Sequence, residues 1–355
     1  MKKKLLIIIP IVLIILAAVI TVIWKNKSIK NENLNEIDIS QDETKQISKV
    51  DIVNINSNSR PYALVVNNTA VAVKVQEGLN KAYLVYEIPT EGNTSRLLAL
   101  YKDIDEDLVV GTIRSARHNF IDFALESDAI FCCFGWSHYA EDDMKKGSID
   151  YLQGLFGYPY YRNNPENLVL EHTAYTSFDK LKNEVSKKKF RTTSEDWSLF
   201  DYSGEDVDLA SATNVKTANT VTIPYGAAPQ IASFKYDENT KMYTRYENGN
   251  ECIDHNTKES VTTKNIIVEK INYKMCSDNY YWDLETTGKG NGYFITNGYA
   301  VPINWSKESR KYKTKYTYAE GTIINGQDLS GKEIVISDGR TWIEVQTNSQ
   351  RLTID

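Results

Sequence analysis

The sequence predicts an α+β protein: a mixed α/β N-terminal domain, then a strand-rich C-terminal domain resembling a barrel or sandwich, behind an N-terminal transmembrane helix. Three observations lead there. An uncharged run of 20 residues opens the chain, short β-branched runs interleave with two helical patterns, and alternating segments parted by turn signals fill the last third. At 41% hydrophobic and 25% charged, most of the chain has enough apolar surface to bury cores.

The opening run is Leu5 to Trp24, LLIIIPIVLIILAAVITVIW. A spanning helix needs about 20 apolar residues, whereas a cleaved signal has about 7–15 followed by a small-residue site. The run predicts an uncleaved anchor, with residues 1–24 forming a cytoplasmic tip and the span. Lys2, Lys3 and Lys4 precede it and Lys25, Lys27 and Lys30 follow it, so flanking charge is nearly balanced. The α-amino group and the exported look of the body favour the N-terminus inside and the rest outside; a cytoplasmic body is the competing topology. No Cys precedes Cys132, so attachment of a lipid at a mature N-terminal Cys is not expected.

Residues 25–59 lack Gly, Pro and aromatic residues and read as a flexible tether. The N-terminal domain is expected over 60–185. Its strands are Tyr62 to Val66, Ala82 to Ile88, Arg96 to Tyr101 and Asp128 to Phe134. Asn119 to Ser127 has helical apolar spacing, and Ser177 caps a second helix reaching Val185. Residues 186–227, a lysine run followed by acidic and Ser/Thr-rich sequence, form a connection. The C-terminal domain is expected over 228–348, in short strands separated by Asn248-Gly249, Asn297-Gly298 and Asp338-Gly339.

Beyond residue 30 the chain holds 35 basic and 47 acidic residues, a net of −12. Nucleic-acid binding draws most of its affinity from neutralised phosphate, so such a body is not expected to bind nucleic acid. Adjacent Cys132 and Cys133 point to opposite faces of a strand and read as apolar filler. Cys252 and Cys276 either pair as a disulfide or stay free. Neither C-x-x-C nor H-E-x-x-H occurs, so no metal or cofactor is expected.

The candidate site comes from the stretch before residue 118. Arg96, Arg114 and Arg117 gather among predicted strand ends in an otherwise acidic domain, and guanidinium groups present forks of donors suited to carboxylate or phosphate. Ser115 adds a hydroxyl. Against this anion pocket stands a plain structural reading in which the arginines pair with Glu87, Glu91 or Asp122. Glu87 and Glu91 could instead move protons on a glycan, and His172 could serve with Ser137 in hydrolysis, but no G-x-S-x-G elbow or third group supports that pairing. Eleven tyrosines between Tyr236 and Tyr318 divide between core pairs and ligand-stacking rings.

Several of these stretches resemble the YerB-like lipoprotein family, a two-part domain of unknown function in exported bacterial proteins. In the first part they are Arg60-Pro61-Tyr62-Ala63, Asn67-Asn68, Leu79 to Glu87, Glu91-Gly92, Thr94-Ser95-Arg96, Ile113 to Arg117 and Glu171 to Ser177. In the second they are Lys264 to Val268, Gly288-Lys289-Gly290 and Gly339 to Ile343. The resemblance implies location and architecture, not an activity. The chain departs from the family in lacking the lipid-attachment Cys and in placing Cys252 where a histidine is expected. The resulting expectation is an anchored extracytoplasmic binding or scaffold module for a cell-wall polymer or membrane-protein partner. The alternative is an enzyme acting on wall polymer through the arginine pocket.

Overall fold

The computed structural model describes residues 50–355 apart from 156 and 227–229. The predicted anchor at 5–24 and residues 25–49 of the predicted tether lie outside the described residues. Among the described residues no helix is long and apolar enough to cross a membrane.

Eight strands come from the N-terminal half: β1 (Tyr62–Asn67), β2 (Leu84–Thr90), β3 (Thr94–Tyr101), β4 (Val109–Gly111), β5 (Ile130–Cys133), β6 (Tyr151–Gln153), β7 (Tyr160–Arg162) and β8 (Ala174–Ser177). Three helices join them: α1 (His118–Glu126), α2 (His138–Lys145) and α3 (Phe178–Lys188). The sequence located α1 and α3. It did not locate α2, whose charged sequence HYAEDDMK buries only Ala140 and Met144. Ser137 caps α2 by accepting a bond from the Ala140 amide at 3.3 Å.

The C-terminal half does not close into a barrel of its own. Its strands Asn265–Ile271, Gly288–Thr296, Tyr299–Lys307 and Thr341–Thr347 continue the sheet begun by β1, β2, β3, β5 and β6, in one open sheet of eleven strands. The seam is β2 against Thr341–Thr347, parallel, with Leu84 opposite Thr341 and Glu87 opposite Glu344. A near-continuous apolar run such as LVYEIPT suits this central position, because a strand there is covered on both faces. The Asn297-Gly298 turn has both residues at positive φ, 49° and 80°, the geometry a two-residue hairpin needs.

Alternate side chains feed two cores. Ala63, Val65, Leu98, Leu100, Phe131 and Ile343 face α1 and α2, which contribute Phe120, Phe123 and Met144. Leu64, Val66, Leu97, Ala99, Ile130 and Trp342 face α3 and a six-stranded sheet contributing Val221, Ile223, Phe234 and Tyr243. A sandwich does form, but its larger layer is built by both halves. All four cysteines are free: Cys252 is buried, while Cys276 is partly exposed beside His118, so no disulfide joins them.

A sheet shared across the halves should unfold as one unit. Urea unfolding of the full chain is expected to give coincident transitions by far-ultraviolet circular dichroism and tryptophan fluorescence. A 60–185 fragment, with the apolar edge of β2 uncovered, is expected to lack a cooperative transition. Two separated transitions in the full chain would contradict the shared sheet.

Candidate functional site

Strands β1, β2, β5 and β6 run parallel, because β1 pairs with β5 and β5 with β6 in parallel, while β3 lies antiparallel between β1 and β2. The loops at their carboxyl ends therefore collect along one edge, where open α/β sheets place ligands. The segment Ile113 to Arg117 is stitched across this edge by backbone bonds. The Arg114 amide donates to the Val65 carbonyl at 2.8 Å, Phe134 to Arg114 at 2.9 Å, and Ala116 to Gly135 at 2.9 Å. Gly135 sits at φ 85°, and a Cβ there would lie 2.9 Å from the Ser115 hydroxyl, so the crossing requires glycine.

This stitching brings the predicted arginines together. The Arg117 Nε lies 3.0 and 2.9 Å from the two Glu91 oxygens, and its Nη2 also donates to Glu91. Arg96 lies 3.8 Å from the same carboxylate and donates to the Ser115 carbonyl. Arg114 reaches Glu171 at 3.4 Å. Arg96 and Arg117 are each only 8% exposed, whereas Arg114 is more open. Burial, with repulsion from Arg117 and Arg114, pulls Arg96 down to about 9. Burial works against the Glu91 carboxylate, but the bonds and charge of Arg117 and Arg96 outweigh it and hold its pKa below the usual range. Three guanidiniums thus face two carboxylates, one of them on the half-exposed Glu171.

The other predicted residues divide. His172 joins the cluster's margin: its Nδ1 is 2.8 Å from the Asn67 amide nitrogen and its Nε2 3.3 Å from Glu171. Burial lowers its pKa, against the pull of Glu171. Ser115 is at the site, but its hydroxyl donates to the Phe134 carbonyl at 3.1 Å. Asp122 pairs with Arg310, not with Arg114 or Arg117. Ser137 is committed to capping α2 and His138 lies 3.7 Å from Asp278, so neither meets His172.

Glu87 is not part of this edge. It is fully buried, accepting from Asn68 at 2.9 Å, Ser95 at 2.6 Å and Arg245 at 2.8 Å. Arg245 also reaches Glu247 at 2.8 Å and Cys252 at 2.9 Å, and its guanidinium lies 4.9 Å from the Trp342 ring centroid. Beside Glu87, Glu344 accepts from Tyr225 at 2.6 Å, and burial with the neighbouring Glu87 charge drives its pKa far up. This buried network joins the halves.

Arg245 escaped the sequence reading, although the alternation in MYTRYE places it on the same face as buried Tyr243 and Glu247. Tyr281 was one of the eleven tyrosines the sequence offered as a set, but its place beside the arginines was not foreseen. Its ring lies 4.9 Å from the Arg117 guanidinium, a contact no sequence spacing announces. Among the described residues no group of His, Cys, Asp or Glu is arranged to hold a metal ion.

Buried carboxyls impose a pH dependence. Burial, reinforced by Glu126, raises Glu269 from its ordinary 4.5 to about 7; burial also raises Glu247 and Glu344. Each folded group keeps a proton that the unfolded chain releases, so its stabilisation is full below the ordinary value and is lost as pH rises toward the folded one. Asp122, also raised by burial, acts with them, and His172 acts in the opposite direction. Thermal midpoints are expected to fall from pH 5 to pH 8. Glu269→Gln should flatten that slope, removing on the order of 3 kcal/mol of the stability otherwise lost across the range. An unchanged slope in the variant would show that Glu269 does not carry the effect.

With the geometry established, relatives can be compared. Residues 51–191 match the N-terminal domain, and residues 220–343 the C-terminal domain, of a protein family of unknown function, DUF3048. Over 293 residues the chain is 28% identical to "Putative lipoprotein YerB" of Bacillus subtilis (strain 168), spanning 81% of each protein. The crystal structure of YerB protein from Bacillus subtilis shares the fold, with a TM-score of 0.68 at 24% identity over 84% of this chain and 94% of that one. Matched in order through both of its domains, the chain belongs to the DUF3048 family.

Proposed function

We propose that the protein is an extracytoplasmic binding module that takes an anionic group of a cell-envelope component at Arg96, Arg114 and Arg117. The observation that carries this reading is the gathering of three guanidiniums against two carboxylates, on loops at the carboxyl edge of a parallel sheet. Crowded like charge in a half-buried place costs free energy, and a bound anion relieves it. Arg114 is the accessible member and makes first contact, while Arg96 and Arg117 supply field from below. The run Leu5 to Trp24 anchors the body, with the N-terminus inside and the remainder outside. The lipoprotein name of its relative supports that placement.

Two measurements test this. Binding of purified wall fragments to the full chain in detergent micelles should weaken about tenfold in Arg114→Ala, partly recover in Arg114→Lys, and weaken with added salt. Unchanged affinity in a normally folded Arg114→Ala protein would remove the cluster from binding. For topology, protease added to intact protoplasts should digest the body; digestion only after lysis would place it inside.

A further inference from the structure

Beside the arginine cluster the same edge of the sheet carries a cleft of about 610 Å³. Its walls are α1 and α2 on one side and, on the other, the hairpin in which Tyr273 pairs with Leu284 and Met275 with Trp282. Aromatic rings connect cluster and cleft. The Arg117 guanidinium is 4.9 Å from the Tyr281 ring, Tyr281 is 6.1 Å from Tyr139, and Tyr139 is 5.5 Å from His118. Tyr139 and His118 both line the cleft. Each step is of the order of one sugar ring. Tyr139 is fixed by a 2.7 Å bond between its hydroxyl and that of Ser277, so it enters the site pre-oriented.

The charges in the cleft have the opposite bias from the cluster. Asp283 is paired with Lys274 at 3.2 Å, and Asp143 with Arg310. Asp142 and Glu285 line the same space together with Lys146, and among the described residues no ion pair joins either acid to a cation, so five acids, Asp122 among them, stand against three bases. A chain with an anion on every repeat would be attracted at the arginines and repelled here. A ligand that is anionic at one position and neutral and hydroxyl-rich at the next meets both regions well. Its hydroxyls donate to carboxylate acceptors, and its apolar ring faces lie on the tyrosines.

We infer that the cluster and cleft form one extended site for a glycan bearing carboxylates on only some of its rings, with a carboxylate at Arg114 and a neutral ring against Tyr281 and Tyr139. This rests on the reading of the arginines as an anion site and names the class of ligand. Clefts of this size and mixed lining are typical binding places.

The test uses the full chain in detergent micelles and three probes. Wall glycan strands stripped of peptide carry a free carboxylate on alternate rings, chitooligosaccharides of equal length carry none, and polyphosphate carries charge at every repeat. The stripped strands are expected to bind at least tenfold more tightly than either of the others. Tyr281→Ala and Tyr139→Ala should each lose about tenfold, while Tyr281→Phe, which keeps the ring face, should bind normally. Asp142→Asn, at an exposed position, should improve polyphosphate binding severalfold by removing repulsion. If polyphosphate binds as tightly as the glycan and responds to Arg114→Ala but not to the tyrosine variants, the glycan assignment falls and the anion site stands. Normal glycan binding by both tyrosine-to-alanine variants also overturns the assignment. If no probe binds, both readings fall.

Discussion

The parallel pairing of β2 with Thr341–Thr347 is the contact on which the rest of the molecule depends. It sets Glu87 directly beside Glu344 in the middle of a sheet covered on both faces. Two carboxyls in that position are tolerable only if one is matched by a cation and the other stays protonated. Arg245 bonds Glu87, and Tyr225 donates to Glu344. Arg245 and Tyr225 both come from the C-terminal half, as does Glu247, so Glu87 and Glu344 find these partners only when that half is in place. Breaking a buried pair by removing one partner costs about 3–5 kcal/mol, so the seam resists slippage more strongly than apolar packing alone would.

The candidate site follows from this arrangement. With β1, β2, β5 and β6 parallel, their carboxyl ends and the segments between them collect on one side. The hairpin beyond Asn265–Ile271 arrives at the same side, because that strand is parallel to Thr341–Thr347 and through it to β2. The C-terminal half thus brings Tyr281 to Arg117, a contact that depends on the shared sheet.

Charge is used differently at the two places. At the seam, acids and a single arginine are sealed together with Asn68, Ser95 and Gln230, and their role is to hold the halves in register. At the edge, arginines exceed their partners and one of them, Arg114, reaches solvent. The bidentate grip of Arg117 on Glu91 combines the two uses. It steadies the β2–β3 turn, and it fixes the orientation of a buried guanidinium at the edge of the sheet.

The sequence alone located β1, β2, β3 and β5, the longer C-terminal strands and two of the three helices, because apolar alternation and Asn-Gly turns are local signals; it passed over the short strands β4, β6, β7 and β8. It also picked out Arg96, Arg114, Arg117 and Glu91, since arginines at strand ends of an acidic chain stand out without any contact being known. Two decisions belonged to tertiary structure. Glu87 within β2 and Glu91 in the turn just after it, four residues apart, went to opposite fates: one is buried against Arg245, more than 150 residues away, and the other is at the rim with Arg117. The C-terminal strands joined the first half's sheet and did not close on themselves. Strand propensity says that a segment will pair but not with which edge, and a buried charge is read as site or seam only once its distant partner is known.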